Sequence, residues 1–202
     1  MTLLSAHTKN IPGPRTLIYT PFNAAPSSTN VRYQISDNYL QFYFRFIHPR
    51  LKEIGLDAFK ADPYRGLNLT VFEQWLGVAF ERLCRHEAHL IAKILQFGGV
   101  VYKCGAFFKR GSSSDLKINL GFQIDLFFER ADRIYSLCEI KHTTAPIDAA
   151  QSREIVAKFE SANLPKKYAR QRVLISTAGV TKEVELGGYF DRIINLSELM
   201  AG

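Results

Sequence analysis

Two apolar segments separated by a short polar turn constrain the fold of this chain more than any other feature. Residues 119–129 (NLGFQIDLFFE) and 133–142 (RIYSLCEIKH) are rich in aromatic and aliphatic side chains, and Arg130–Asp132 lie between them. Segments of this kind on either side of a short turn predict an antiparallel β-hairpin. The chain is therefore expected to contain a sheet, and its other elements are expected to cover that sheet.

Helical and strand patterns lie on both sides of the hairpin. Residues 71–95 repeat apolar side chains close to the 3.6-residue period of a helix, and a second helix is expected over 147–162. Further strands are predicted at 100–108, 172–177 and 192–196. This order of elements predicts an α/β fold, in which a mixed central sheet is flanked by helices.

The N-terminal part has a different composition. Residues 1–30 are rich in Pro, Ser, Thr and Asn, which predicts loops, with a short strand at 15–19. We therefore divide the chain into an N-terminal extension of loop and helix, residues 1–50, and a main domain, residues 51–202.

An aromatic helix is predicted at the end of this extension. Ser36 or Asp37 can cap a helix that begins near Asn38, and Pro49 marks its expected end. Apolar residues lie on nearly every side of this helix. We therefore expect it to be buried, either within this chain or against a missing neighbour.

Charge and cysteine usage limit the class of protein. The formal net charge of +7 suits a polyanionic partner such as nucleic acid, although ordinary solubility charge is the alternative. Cys84, Cys104 and Cys138 are scattered and form no CxxC pair, which argues against a disulfide framework or a structural zinc site. With no signal pattern and no apolar stretch of spanning length, we expect a cytoplasmic protein that has no membrane contact.

Strand alternation places three chemically useful residues together. Side chains along a strand alternate between faces, so Asp125 shares a face of the hairpin with Glu139 and Lys141 if odd-numbered residues pair with odd-numbered ones. Asp125 then lies opposite Leu137 or Glu139, depending on the turn. The other face holds the apolar residues Phe122, Ile124, Leu126 and Phe128. A bulge in either strand would change this assignment.

These residues suit a divalent cation. Two adjacent carboxylates repel each other unless positive charge lies between them, and Mg²⁺ prefers oxygen ligands. The backbone carbonyl of Ile140 is a further candidate oxygen ligand. A neighbouring lysine can orient a water molecule or stabilise charge on a phosphate, which suggests phosphodiester hydrolysis. The alternative is a solvated hairpin face that carries an ordinary carboxylate–lysine pair.

The same residues carry a resemblance to a known family. The segments 121–128 (GFQIDLFF) and 138–141 (CEIK), preceded by a helical glutamate in 77–84 (GVAFERLC), resemble the PD-(D/E)xK nuclease superfamily. More narrowly, 35–49, 75–84 and the hairpin together are similar to the C-terminal nuclease-like domain of a group of prokaryotic AAA-type ATPases.

The resemblance implies a restriction-endonuclease-like core with an Mg²⁺ site, in which Mn²⁺ can substitute. By position, Glu81, Asp125 and Glu139 would be catalytic metal ligands and Lys141 the catalytic lysine. Gln151 matches a helix where some relatives place a polar site residue. ATPases of this group carry a P-loop, and no GxxxxGK[ST] occurs here. We therefore expect a truncated ATPase gene, a separate fragment or a stand-alone relative.

Four cations near the hairpin are candidates for contact with a phosphate backbone, with a solvated loop as the alternative: Lys103, Lys109, Arg110 and Lys117. We expect a metal-dependent nuclease that acts on DNA. The alternatives are a catalytically idle nucleic-acid-binding module, or a protein-interaction and regulatory module associated with an AAA-type ATPase. An oligomer is left open.

Overall fold

The computed structural model describes residues 16–19, 22, 32–35, 37–109, 112–114, 117–119 and 121–201. The chain forms two compact units. The first comprises Met1–Thr20 and Thr29–Asn68, and the second comprises Pro21–Ser28 and Leu69–Gly202. Their main boundary at Asn68 therefore lies later in the chain than the division at residue 50 expected from the sequence.

The first unit combines a two-stranded sheet with a helical segment. Strands β1 (Thr16–Tyr19) and β2 (Arg32–Ile35) pair in an antiparallel manner, so the short strand expected at 15–19 is confirmed. The rest of the loop predicted for 1–30, apart from Phe22, lies outside the described residues. The helical elements are α1 (Asn38–Phe42), a π-helical turn (Tyr43–Ile47), a 3₁₀ turn (His48–Arg50), α2 (Leu51–Gly55) and a second 3₁₀ turn (Pro63–Gly66).

The aromatic helix begins as predicted but does not end as predicted. The Asp37 side chain caps it by accepting a hydrogen bond from the Leu40 amide at 3.1 Å. Pro49 does not end the helical path, because it occupies the first turn of the 3₁₀ segment, where a missing amide costs no hydrogen bond. Within this chain the aromatic residues of this segment are only partly buried: Phe46 is buried, but Tyr39 and Phe44 are 70% and 55% exposed.

The second unit is built on a five-stranded mixed sheet. Its strands are β3 (Tyr102–Lys109), β6 (Phe122–Arg130), β7 (Ile134–Lys141), β8 (Ala169–Ser176) and β9 (Arg192–Asn195). Strands β4 (Ser112–Ser114) and β5 (Lys117–Asn119) form a separate small hairpin. The order in the sheet is β3-β6-β7-β8-β9; the first two pairings are antiparallel and the last two are parallel.

Helices cover both faces of this sheet. They are α3 (Leu69–His86), α4 (Ala88–Ile94), α5 (Ala149–Glu160), α6 (Lys182–Leu186) and α7 (Leu196–Ala201). Residues of α3 and α4 pack with Leu126, Phe128 and Cys138 on one face. Residues of α5 pack with Phe127 and Leu137 on the other. The α/β class with a mixed sheet between helices is therefore confirmed.

The long helix expected over 71–95 is wrong as a single element. Glu87 has φ −91° and ψ 28°, which separates α3 from α4. The Glu87 carboxylate lies close to the Nδ1 atoms of both His86 and His89, at 2.8 and 3.7 Å. The break allows Ile91 on α4 to be fully buried against the sheet. Within the described residues, no helix is long and apolar enough to cross a membrane.

The β6–β7 hairpin has the predicted parity. Phe127 pairs with Leu137 and Glu129 pairs with Tyr135, so odd-numbered residues face odd-numbered ones. The turn consists of Ala131–Arg133 and lies one residue later than expected. Arg133 has φ +64°, which is the left-handed residue that ends many three-residue hairpin loops.

A β-bulge interrupts β6 at its pairing with β3. Gly105 pairs with Phe127 but Phe107 pairs with Ile124, so both Asp125 and Leu126 lie opposite Ala106. The extra residue reverses the side-chain alternation. As a result Ile124 and Phe122 pack with Phe127 on the α5 face. The prediction that they share a face with Leu126 and Phe128 is wrong for this reason.

Candidate functional site

Asp125 occupies the bulge and points toward β7. Its Oδ2 accepts a hydrogen bond from the Ile140 amide at 3.0 Å, while Gln123 Nε2 donates to Oδ1 at 3.3 Å. The regular ladder between β6 and β7 extends only to Leu126 and Cys138. Beyond that ladder, the Asp125 side chain therefore replaces a backbone carbonyl as the acceptor for the Ile140 amide. Asp125 is only 7% exposed.

Glu139 lies on β7 between two lysines. Its Oε1 is 2.9 Å from Lys141 Nζ, and its Oε2 forms an ion pair with Lys158 Nζ. Lys141 comes from the same strand, whereas Lys158 comes from α5 on the covering layer. The residue Glu139 is 2% exposed, so these two ammonium groups neutralise a carboxylate that is almost completely removed from water.

Glu81 joins the site from α3. Arg85 Nη1 lies 3.5 Å from Glu81 Oε2 and donates to the backbone carbonyl of Asp125 at 3.4 Å. Arg85 thereby links Glu81 on α3 to the backbone of Asp125 on β6. Three separate elements, α3, β6 and β7, thus supply the three carboxylates that the resemblance singled out, and α5 adds a lysine.

The charges of these groups affect one another. Burial, reinforced by the Glu139 and Glu81 carboxylates, raises the pKa of Asp125 from its usual 3.8 to about 7, against the opposing effect of the hydrogen bond from the Ile140 amide. Burial also raises the pKa of Glu81, an effect that Arg85 opposes and Glu139 reinforces. Burial alone would lower the pKa of Lys141, but the Glu139 carboxylate more than offsets this and raises it.

The donor chemistry fits a hard divalent cation. The Glu139 carboxylate raises the pKa of both Asp125 and Glu81, and a cation relieves repulsion of this kind. Carboxylate oxygens are also the ligands that Mg²⁺ prefers. Within the described residues, no three or more His, Cys, Asp or Glu side chains are grouped as metal ligands. In this arrangement the Glu139 oxygens face Lys141 and Lys158.

Gln151 lies at the start of α5 and has a structural role. Its side chain accepts from the Asp148 amide at 3.1 Å, and its own amide donates to Asp148 Oδ1 at 2.8 Å. This reciprocal pair is a capping box. Lys158, further along the same helix, is the α5 residue that contacts Glu139.

The four candidate phosphate contacts have different positions. Lys103 is exposed opposite Glu129, at the end of the β3–β6 ladder away from Asp125. Lys109 Nζ donates to the Ser161 carbonyl at 2.7 Å, where it binds the C-terminal end of α5. Lys117 lies in β5, and Arg110 lies outside the described residues.

Sequence reasoning missed two site residues, Lys158 and Arg85. Arg85 follows Glu81 at the i, i+4 spacing of a helical ion pair, so a signal for it was present. Lys158 gave no such signal. It lies next to Phe159, which packs on the sheet, but the strand residue that a lysine on α5 contacts depends on how the helix crosses the sheet.

No family model matches the chain. The chain is 30% identical over 102 residues to the uncharacterized protein MJECL04 of Methanocaldococcus jannaschii. The match covers 48% of this chain and 21% of that protein. The chain thus spans about a fifth of the length of that relative. The crystal structure of a protein of unknown function, AF1548, aligns with a TM-score of 0.34 and 17% identity over 54% of this chain and 55% of that one.

Proposed function

We propose that the second unit is a divalent-metal-dependent nuclease domain of the PD-(D/E)xK type that hydrolyses phosphodiester bonds in DNA. The observation that carries the proposal is the charge cluster of Glu81, Asp125 and Glu139 with Lys141, in which burial and neighbouring carboxylates raise the pKa of Asp125 to about 7. A cluster of carboxylates in a mainly apolar core is costly for folding, and such costs are typical of functional sites.

Each residue has a defined role in this proposal. Glu81, Asp125, Glu139 and the carbonyl of Ile140 would hold Mg²⁺, or Mn²⁺ in its place. The bound cation supplies Lewis acidity and a water molecule of lowered pKa. The Lys141 side chain is 42% exposed, so its ammonium reaches both Glu139 and solvent, where it can bind a phosphate oxygen and stabilise charge as the bond breaks.

The overall charge supports a nucleic-acid substrate. The net charge of +7 favours association with a polyanion and accelerates encounter at low salt. The alternative in the same class is a catalytically idle domain that binds DNA through the same electrostatics.

A cleavage assay separates these two. Supercoiled plasmid is incubated with the full chain and Mg²⁺ or Mn²⁺, alongside Lys141→Ala and the matched exposed-lysine control Lys93→Ala. We expect nicking by the wild type and by Lys93→Ala, and none by Lys141→Ala. Equal activity in all three proteins, or none in any, contradicts the nuclease proposal. Salt-sensitive DNA binding without cleavage would favour the idle module.

A protein-interaction role for the first unit is a second candidate, because this unit exposes aromatic side chains. Tyr39 and Phe44 are 70% and 55% exposed, and Leu56 and Tyr64 are 74% and 69% exposed. Large apolar groups of this kind in one segment are typical of interaction surfaces. The partner would be an AAA-type ATPase module or a second copy of this chain.

Sedimentation velocity tests the second copy as partner. We expect the wild type to associate at micromolar concentration and the Tyr39→Ser/Phe44→Ser variant to remain monomeric. A wild-type chain that is monomeric throughout the range rejects self-association through this surface.

A further inference from the structure

We propose that Lys158 is an internal counter-cation that competes with the divalent metal for Glu139. The inference rests on the proposed metal site, and it assigns to Lys158 a positioning role that neither the sequence pattern nor the family resemblance supplies. The Lys158 ammonium occupies one oxygen of Glu139, and it must leave that oxygen when a divalent cation binds there.

The contact itself is the first support. Lys158 Nζ forms an ion pair with Glu139 Oε2, while Lys141 Nζ holds Oε1 at 2.9 Å. The Glu139 side chain is 3% exposed, so water contributes little to balancing its charge. The two lysines provide that balance, and each carboxylate oxygen that a metal could use already faces an ammonium group.

Electrostatics make joint occupancy unfavourable. A divalent cation bound by Glu139 and Asp125 would lie beside the Lys158 ammonium in a region of low solvent exposure, where like charges repel strongly. The cation gains from Asp125 as well, because the Ile140 amide holds this buried carboxylate beside β7 at 3.0 Å. The cation therefore displaces the lysine rather than sharing Glu139 Oε2 with it.

Lys158 can move more readily than the strand that carries Glu139. Its side chain is 23% exposed, and a lysine carries its charge on a long flexible stem that can extend to water. The helix beneath it is fixed by the Asp148 and Gln151 capping box and by the buried residues Ile155 and Phe159. The exchange thus requires a rotamer change in Lys158 and leaves α5 in place.

Mn²⁺ binding measured by electron paramagnetic resonance tests the inference without any substrate. The full chain is titrated with MnCl₂ at one pH as the wild type, Lys158→Met, Lys158→Arg and the control Lys93→Met. We expect Lys158→Met to bind Mn²⁺ about tenfold more tightly than the wild type, because the competing charge is gone. Lys158→Arg retains the charge, and with Lys93→Met it should stay near the wild-type affinity.

The outcomes distinguish this inference from the proposed function. Equal Mn²⁺ affinity in the wild type and Lys158→Met overturns the competition but leaves the metal site standing. Weaker binding by Lys158→Met overturns it too, because the lysine would then only support the fold. If neither protein binds Mn²⁺, the metal site and the inference both fail.

Two further variants guard the interpretation. Lys158→Gln keeps polarity without charge and should also bind more tightly, which preserves the test if Lys158→Met does not fold by circular dichroism. Adding Glu139→Gln to Lys158→Met should abolish the gain in affinity. If the gain in Mn²⁺ affinity persists without the Glu139 charge, Lys158 does not compete with the metal for Glu139, and the inference is wrong.

Discussion

Asp125 and Glu139 are buried carboxylates on neighbouring strands, but their surroundings differ. Glu139 has an ammonium group at each oxygen. Asp125 instead accepts hydrogen bonds from the Ile140 amide and Gln123 and lies in the field of two other carboxylates. Removing the charge from each should therefore change stability in opposite directions.

We predict that Asp125→Asn stabilises the metal-free protein at pH 8. The raised pKa of Asp125, about 7 against the usual 3.8, means that its stability contribution is complete below pH 4 and is lost as pH rises through 7. The amide still accepts from Ile140 and carries no charge, so the gain at pH 8 should be at least about 1 kcal/mol. Urea unfolding in EDTA from pH 4 to 8 measures it.

The gain should vanish near pH 4, where Asp125 is protonated in the folded protein. The exposed acid Glu183, replaced by Gln, serves as the control and should change stability by less than about 0.5 kcal/mol at either pH. An Asp125→Asn protein that is less stable than the wild type at pH 8 would show that the carboxylate is not strained.

We predict that Glu139→Gln destabilises the metal-free protein. The substitution leaves Lys141 and Lys158 beside a buried neutral group. Breaking a buried ion pair costs about 3–5 kcal/mol, but the Lys141 side chain is 42% exposed and partly screened, so we expect about 1–3 kcal/mol. Urea unfolding at pH 7.5 in EDTA checks this, and unchanged stability would contradict the described ion pairs.

At the scale of elements, the bulge in β6 and the crossover helix α5 build the site. The bulge aims Asp125 at the Ile140 amide, and α5 supplies Lys158. The N-terminus of α5 is fixed by the Asp148 and Gln151 capping box. The position of α5 along the sheet therefore determines which strand residue Lys158 reaches.

We predict that the α5 cap affects stability and not metal binding. Asp148→Ala should cost about 1 kcal/mol, the usual value for loss of an N-cap side chain, and Gln151→Ala should cost less. Both should leave Mn²⁺ affinity unchanged in the resonance titration. A large loss of Mn²⁺ affinity in Gln151→Ala would show that Gln151 contributes to metal binding.

Alternation along the strands was sufficient to predict that odd-numbered residues of β6 pair with odd-numbered residues of β7, because a hairpin around a short turn has few registers. It could not predict the bulge, which depends on how β6 pairs with β3 across Ala106. For the same reason the positions of Phe122 and Ile124 were wrong. Glu81 was found through resemblance, since the distance between α3 and the hairpin is a matter of tertiary packing.

The whole molecule consists of two compact units and has a net charge of +7. The first unit continues past the division expected at residue 50 and includes the 3₁₀ turn at Pro63–Gly66, which follows no periodic apolar pattern in the sequence. The class of fold was predictable, since the order of helices and strands already implied a mixed sheet.

We predict that binding of the full chain to short duplex DNA is strongly salt-dependent. If two or three phosphates are neutralised, affinity should fall by between about tenfold and fortyfold from 50 to 200 mM salt. Fluorescence anisotropy in EDTA, where cleavage cannot proceed, measures this. An affinity that is independent of salt would exclude phosphate contacts as the basis of binding.

We propose that Glu81, Asp125 and Glu139 hold one divalent cation. Anomalous diffraction from a crystal of the full chain soaked in Mn²⁺ would locate this ion. We expect one strong peak within about 2.4 Å of carboxylate oxygens from Asp125 and Glu139, with Glu81 bound directly or through water. A soaked crystal without a peak at these residues, and with Lys158 still in contact with Glu139, would rule out the proposed metal site.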